Sequence, residues 1–257
     1  MMPTSQQVQA FADACARAAE TARGENGIGS LGEKTMHLAL KFFYEPDPAR
    51  HERKLQGYVT DAFTEHGAVE IQTAQIHRLT RKLEAFLPVT DVRVVCPIAV
   101  EKRIIWLEPA SGEAVETNRS RVHEKPLEVA AGLCALKALL QNPALSVDIV
   151  CLTADEYRLL DGGGETRKRR ATKYEVIPTA LTALIPLRTP KDYAELLPEG
   201  LPAPFTSAVL AKTAHIRRRD AQQALNLLAS LGAIQPDGKR GRENLYTYAS
   251  ETNKPDR

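Results

Sequence analysis

Apolar residues recur at helical spacing from residue 5 to 22 (Val8, Phe11, Cys15, then Ala18 or Ala19), which predicts an amphipathic helix packed on the core or on a second subunit. A Gly-rich break over 23–30 follows, and its glycines match neither GxGxxG nor GxxxxGK[ST], so it makes no nucleotide loop. Met36, Leu38, Ala39, Leu40, Phe42 and Phe43 predict a largely buried helix over 33–44, stopped before Pro46 and Pro48. At Leu55–Thr73 the period changes. Tyr58, Val59, Thr60, Phe63, Val69 and Ile71 flank a polar, Gly-containing break, the pattern of two short strands joined by a turn at Glu65-His66-Gly67. Residues 75–87 return to helical spacing, with His77, Arg78, Arg81 and Lys82 on the arc away from the core.

The second half begins with β-rich runs at 92–98 and 103–107, split by 99–102, where Pro97 marks an edge or a strand end. A turn over 108–116 and a polar loop over 117–125 follow; Pro126 starts a helix that runs to Leu140, and 145–152 reads as a strand. Strand, helix and strand at this spacing imply a parallel crossover and an α/β fold. Residues 161–173 form a Gly-hinged loop dense in Arg167, Lys168, Arg169 and Arg170, suited to a nucleic-acid backbone or simply to solvent. The Pro-rich stretch 186–204 divides this unit from helices over 207–214 and 217–231 and a hairpin over 233–249 with a Pro-Asp-Gly turn. The expected organisation is an N-terminal helix and break (1–30), a main domain (31–185), a linker (186–204) and a small C-terminal domain (205–250).

Composition narrows the picture only a little. The 257 residues are 43% hydrophobic and 26% charged, ordinary for a globular protein. No apolar run approaches the ~20 residues of a membrane span and the N-terminus lacks a signal-like segment, so a cytoplasmic, nucleoid-associated protein is expected. Cys15, Cys96, Cys134 and Cys151 are widely spaced with no CxxC pair, so reduced thiols are expected rather than a zinc ribbon or a disulfide framework. Net charge is +2, yet residues 201–257 hold nine Lys and Arg against five Asp and Glu. The basic character is concentrated at the carboxyl end.

Candidate chemistry centres on the hairpin. Strand alternation points Glu70 and Gln72 to one face, and pairing with the preceding strand can bring Asp61 across from Glu70. Two carboxylates at a sheet end suit a hydrated Mg²⁺ (or Mn²⁺). Asp61, then Glu70-Ile71-Gln72, then a helix, resembles the PD-(D/E)xK motif of restriction-endonuclease-like nucleases, over roughly residues 31–160. The resemblance implies a mixed sheet flanked by helices and metal-dependent phosphodiester hydrolysis, with Asp61 and Glu70 as metal ligands and Glu33 as the helical acid. Glu33 is equally placed to interact with its own helix dipole. Gln72 stands where the family usually carries Lys; Lys82, or Arg78, on the following helix is the replacement cation.

The C-terminal order of helix, turn, helix and hairpin is similar to a winged helix-turn-helix domain. That likeness implies DNA contact by Arg217, Arg218, Arg219, Gln222 and Gln223 in the second helix, and by Lys239, Arg240 and Arg242 on the wing. Three functions stay open: a metal-dependent DNA nuclease; a non-enzymatic DNA-binding regulator whose nuclease-like core has lost catalysis, which Gln72 favours; and an assembly module that uses both domains for protein contacts, which the modest net charge favours. A homodimer is compatible with each.

Overall fold

The computed structural model describes residues 2–25, 35–120, 123–163 and 171–249. Glu33 and the basic run Arg167, Lys168, Arg169 and Arg170 therefore lie outside the described residues. In chain order the elements are α1 (Ser5–Glu25), α2 (Thr35–Tyr44), β1 (His51–Leu55), β2 (Tyr58–Thr64), β3 (Gly67–Ile71), α3 (Thr80–Phe86), β4 (Val92–Leu107) and β5 (Ala114–Arg119). There follow α4 (Pro126–Leu133), β6 (Leu145–Leu159), β7 (Thr172–Leu187), α5 (Pro190–Ala194), α6 (Ser207–Ala214), α7 (Arg218–Ser230), β8 (Ile234–Arg240) and β9 (Glu243–Tyr248).

The expected α/β class holds: a seven-stranded mixed sheet runs β1-β2-β3-β4-β6-β7, with β5 paired to β4 beyond the end of β3. The β1, β2 and β3 pairings are antiparallel, β3–β4 and β4–β6 are parallel, and β7 returns antiparallel along β6. The two parallel pairings need crossovers, and α3 and α4 supply them. At the β2–β3 turn, Gly67 has φ +108°, and a Cβ there would lie 2.2 Å from the Asp91 carbonyl oxygen, so glycine is required.

Helices cover both faces. On one side Phe11 of α1 and Met36 and Leu40 of α2 pack on Val95, Val150 and Leu152, which seats α1 on the sheet of its own chain. On the other, Leu83, Phe86, Leu133 and Leu136 pack on Val94, Cys96, Val147 and Ile149. That second core continues without a break into Phe205, Leu210, Leu225 and Leu228 of the C-terminal helices. A buried carboxylate, Asp148, ties the layers together, accepting hydrogen bonds from the Tyr44 hydroxyl (2.9 Å) and the Arg188 guanidinium (2.6 Å). All four cysteines are free thiols, and among the described residues no helix is long and apolar enough to cross a membrane.

Several expectations need correction. The strands expected at 92–98 and 103–107 are one strand, β4, with a bulge between Ala99 and Glu101. Pro97 sits in its middle without cost. The Gln72 N–H donates to the Val95 carbonyl, so β4 backbone groups two residues on face the gap between β3 and β5, where no ladder bond is lost. Residues 114–119, read as turn and loop because they are polar, form β5, an edge strand exposed along its whole length. The long strand β7 went unassigned, and its last residues, Pro186 and Leu187, fall in the supposed linker. The rest of 186–204 is also built into the fold: Pro190 opens α5, and Tyr193, Leu197 and Leu201 are buried. The C-terminal hairpin turns at Gly241-Arg242 rather than at Pro236-Asp237-Gly238, which is accommodated as an irregularity in β8.

Candidate functional site

The β2–β3 ladder keeps register from Thr64↔Gly67 to Ala62↔Val69 and then ends. Beyond that pair the Ile71 N–H goes to the Asp61 carboxylate at 2.7 Å, and the buried Thr60 hydroxyl donates to the Ala62 and Val69 carbonyls. The two strands splay, and side chains occupy the wedge. Asp61 also meets the His37 imidazole on α2, at 3.3 Å. Burial pushes the Asp61 carboxyl upward, but His37, the Ile71 N–H and the Lys82 charge outweigh it and hold the group below its ordinary range.

Glu70, next along β3, is 1% exposed. Its Oε2 accepts from the Lys82 ammonium, which reaches in from α3, while its Oε1 is buried without a hydrogen bond, the neighbouring Thr60 hydroxyl being turned to the Ala62 and Val69 carbonyls. Burial first, then the negative charge of Asp61, raise the Glu70 carboxyl to about 7 against the pull of Lys82 and, after it, of the Thr60 hydroxyl nearby. Asp61 and Glu70 are thus electrostatically coupled, and Lys82 acts on both. An unpaired oxygen on a buried carboxylate costs free energy unless a proton or cation meets it.

Gln72 does not join them. Its side-chain amide donates to the Ala74 carbonyl and its backbone N–H to Val95. Among the described residues no group of three or more His, Cys, Asp or Glu side chains is arranged to hold a metal ion. The Asp61–Glu70 pair still fits a hydrated Mg²⁺, which binds through one or two carboxylates and keeps several waters. The orphaned Oε1 is the observation that argues for such a fit.

The basic residues of the C-terminal unit divide into spent and free. Arg217, at the head of α7, closes back on Asp220 through Nε (2.6 Å) and a second nitrogen (3.2 Å). Arg218 pairs with Glu243 of the hairpin. Arg219, Gln222, Lys239, Arg240 and Arg242 are exposed, and the four cations have no ion pair among the described residues. Gln223 is half-buried and lines a cleft against α4 rather than the outer stripe of α7. Lys125, just before α4, donates to the Ala214 and His215 carbonyls, both at 2.7 Å, and so caps α6 and fixes the C-terminal unit to the main sheet.

His37 carries no assignment from the sequence and Thr60 reads as an ordinary strand residue; their roles at the wedge depend on where the ladder stops. His37 stands within the apolar helical run from Met36 to Phe43, which was the available signal.

Three comparisons bear on the chain. A family model described as a domain of unknown function, DUF8091, matches residues 34–188. An uncharacterized protein of Treponema pallidum (strain Nichols) is 28% identical over 223 residues, covering 85% of this chain and 86% of that protein. No solved structure matches.

Proposed function

The chain belongs to the DUF8091 family, and we propose that it is a metal-dependent nuclease that hydrolyses DNA phosphodiesters, with a restriction-endonuclease-like core and a C-terminal winged helix that binds DNA. One observation carries the reading: Glu70 is buried with an unbonded oxygen beside Asp61, at a point where two strands splay. The order α2, β2–β3 hairpin, α3 and parallel β4 supports it, being the helix, hairpin, helix and strand of the resemblance. So does the order α6, α7, β8, β9, with a bridge between Phe205 and Tyr246 that pins the hairpin to the start of the unit.

In this reading Asp61 and Glu70 hold the ion, and Glu33 assists. A bound divalent cation would polarise the phosphodiester and lower the pKa of a water. The side chains do the rest. Asp61 stays ionised because His37 and the Ile71 N–H stabilise its charge. Glu70 gives up its proton as pH rises through about 7, making its anionic form available at the working pH. Lys82 takes the place of the missing motif lysine from a different backbone position, with its ammonium on Glu70. Gln72, turned to Ala74, orients no water in this arrangement. Arg219, Gln222, Lys239, Arg240 and Arg242 contact DNA, Arg167 to Arg170 add charge along the backbone, and Arg217 and Arg218 shape the unit.

A second reading, a DNA-binding regulator with a core that has lost catalysis, is favoured by the spent Gln72 amide. Cleavage of single-stranded, duplex and branched DNA with Mg²⁺ or Mn²⁺ and then with EDTA separates the two. Metal-dependent cleavage lost in Asp61→Ala and Glu70→Ala supports the nuclease. Salt-sensitive binding with no cleavage of any substrate supports the regulator.

A further inference from the structure

A cleft of 420 Å³ opens where β3 ends, between the Gln72–His77 segment, the middle of β4, the start of α4 and Gln223 of α7. It occupies the gap that β3 leaves on β4 before β5 begins, the crevice at the carboxyl end of a parallel strand where open α/β sheets take ligands. Its apolar lining comes from Pro97 and Ile98 of β4, Ile76, and Val129 of α4. The polar lining combines the amides of Gln72, Gln75 and Gln223 with the carboxylates of Glu124 and Glu128, beside Thr73, His77 and Lys125.

The two carboxylates weigh against an anion. Glu124 and Glu128 repel a phosphate, and the ammonium of Lys125, the lysine of the lining, is committed to the Ala214 and His215 carbonyls. A flat, neutral ring with N–H donors on its edge suits the cleft instead. The Glu128 carboxylate takes only the Lys125 backbone N–H through Oε2, and Glu124 keeps lone pairs beyond its bonds to Ala99 N–H and Lys102. Carboxylates accept from exocyclic amino groups, and glutamine pairs with the edge of adenine. Position gives the strand its path. Gln72 lies two residues beyond Glu70, and on the far wall Gln223 is the neighbour of the exposed Gln222, one turn from Arg219.

Resting on the DNA reading above, we infer that this cleft receives one nucleobase turned out of its strand, and selects bases that carry an exocyclic amino group. A strand held by α7 and directed toward the Asp61–Glu70 wedge crosses the cleft, and the base over it leaves the stack.

The test uses the full chain in EDTA, so that no cleavage is needed, with DNA carrying the fluorescent amino-bearing base 2-aminopurine at successive positions. Emission rises on unstacking. The expected result is a rise at a single position, lost in Ala135→Trp, which fills the cleft from an exposed lining residue, with DNA affinity held within about threefold, and lost also in Gln223→Leu. No position-dependent rise, or a rise that survives both variants, overturns the inference. Free nucleosides, followed by saturation-transfer NMR, provide a second arm: adenosine and cytidine are expected to bind about tenfold tighter than thymidine. Equal binding, or none, overturns it. Metal-dependent cleavage without an emission rise sinks the cleft and leaves the nuclease; a rise in a protein that never cleaves sinks hydrolysis and leaves the cleft.

Discussion

Glu70 on β3 and Arg218 at the head of α7 each face an opposite charge, but their surroundings differ. The Glu70 side chain is 2% exposed and keeps one oxygen unbonded, whereas the Arg218 side chain is 65% exposed and its guanidinium goes to Glu243. An exposed pair contributes little and forms cheaply, so charged residues on a surface are readily consumed by neighbours. A buried carboxylate with an unmet oxygen carries a cost that the fold offsets elsewhere. Density of charge in a sequence is therefore a weaker sign of function than burial of a charge that nothing in the chain fully pairs.

The largest test of that contrast is catalytic. In a single-turnover assay, Asp61→Ala or Glu70→Ala is expected to lower the cleavage rate by about 10³-fold, about 4 kcal/mol of transition-state stabilisation, while DNA affinity changes by less than about threefold. Equal loss of binding and rate would erase the distinction between the two regions.

Next comes the pH dependence of stability. The Glu70 carboxyl is raised from 4.5 to about 7 in the folded chain, so its contribution is fully present below pH 4.5 and is lost as pH rises through 7. Denaturant melts of the wild type and Glu70→Gln should therefore diverge over that window, the wild type losing roughly 2 to 3 kcal/mol relative to the amide. Added Mn²⁺ at pH 8 should recover part of the loss in the wild type alone. Parallel pH profiles would show that Glu70 is not held above its ordinary range.

How much of this was legible follows the same divide. The hairpin at 58–71 and the helices on either side were readable because alternation and helical spacing are local, and Asp61, Glu70 and Lys82 were named from them. The spent charges of Arg217 and Arg218 were not, since Glu243 comes from a hairpin 25 residues away in sequence from Arg218. β5 was hidden because all six of its residues are exposed and four of them are polar, so only pairing with β4 reveals it. Prolines at 186–204 suggested a free connector, yet Tyr193, Leu197 and Leu201 contribute to the shared core. Glu124 and Glu128 carry no signal in the sequence, and only the unpaired stretch of β4 makes them walls of a cleft.

Smaller effects separate free from spent cations. Single Arg219→Ala, Lys239→Ala, Arg240→Ala or Arg242→Ala changes should each reduce the slope of log affinity against log salt by about 1. Arg217→Ala should leave the slope unchanged and lower the melting temperature slightly, because its guanidinium closes the first turn of α7 on Asp220. A slope change with Arg217→Ala would return that residue to the DNA-contacting set. Smallest is Lys125→Met, expected to cost about 1 kcal/mol in denaturant unfolding by freeing the Ala214 and His215 carbonyls. No change would mean that apolar packing alone joins the C-terminal unit to the sheet.

The most direct measurement is a Mn²⁺ titration of the full chain at pH 8, with bound ion counted by electron paramagnetic resonance. One ion per chain in the wild type, absent in both Asp61→Asn and Glu70→Gln, is the expected result. A wild type that binds no Mn²⁺, or variants that bind it equally well, would contradict a metal site built on Asp61 and Glu70.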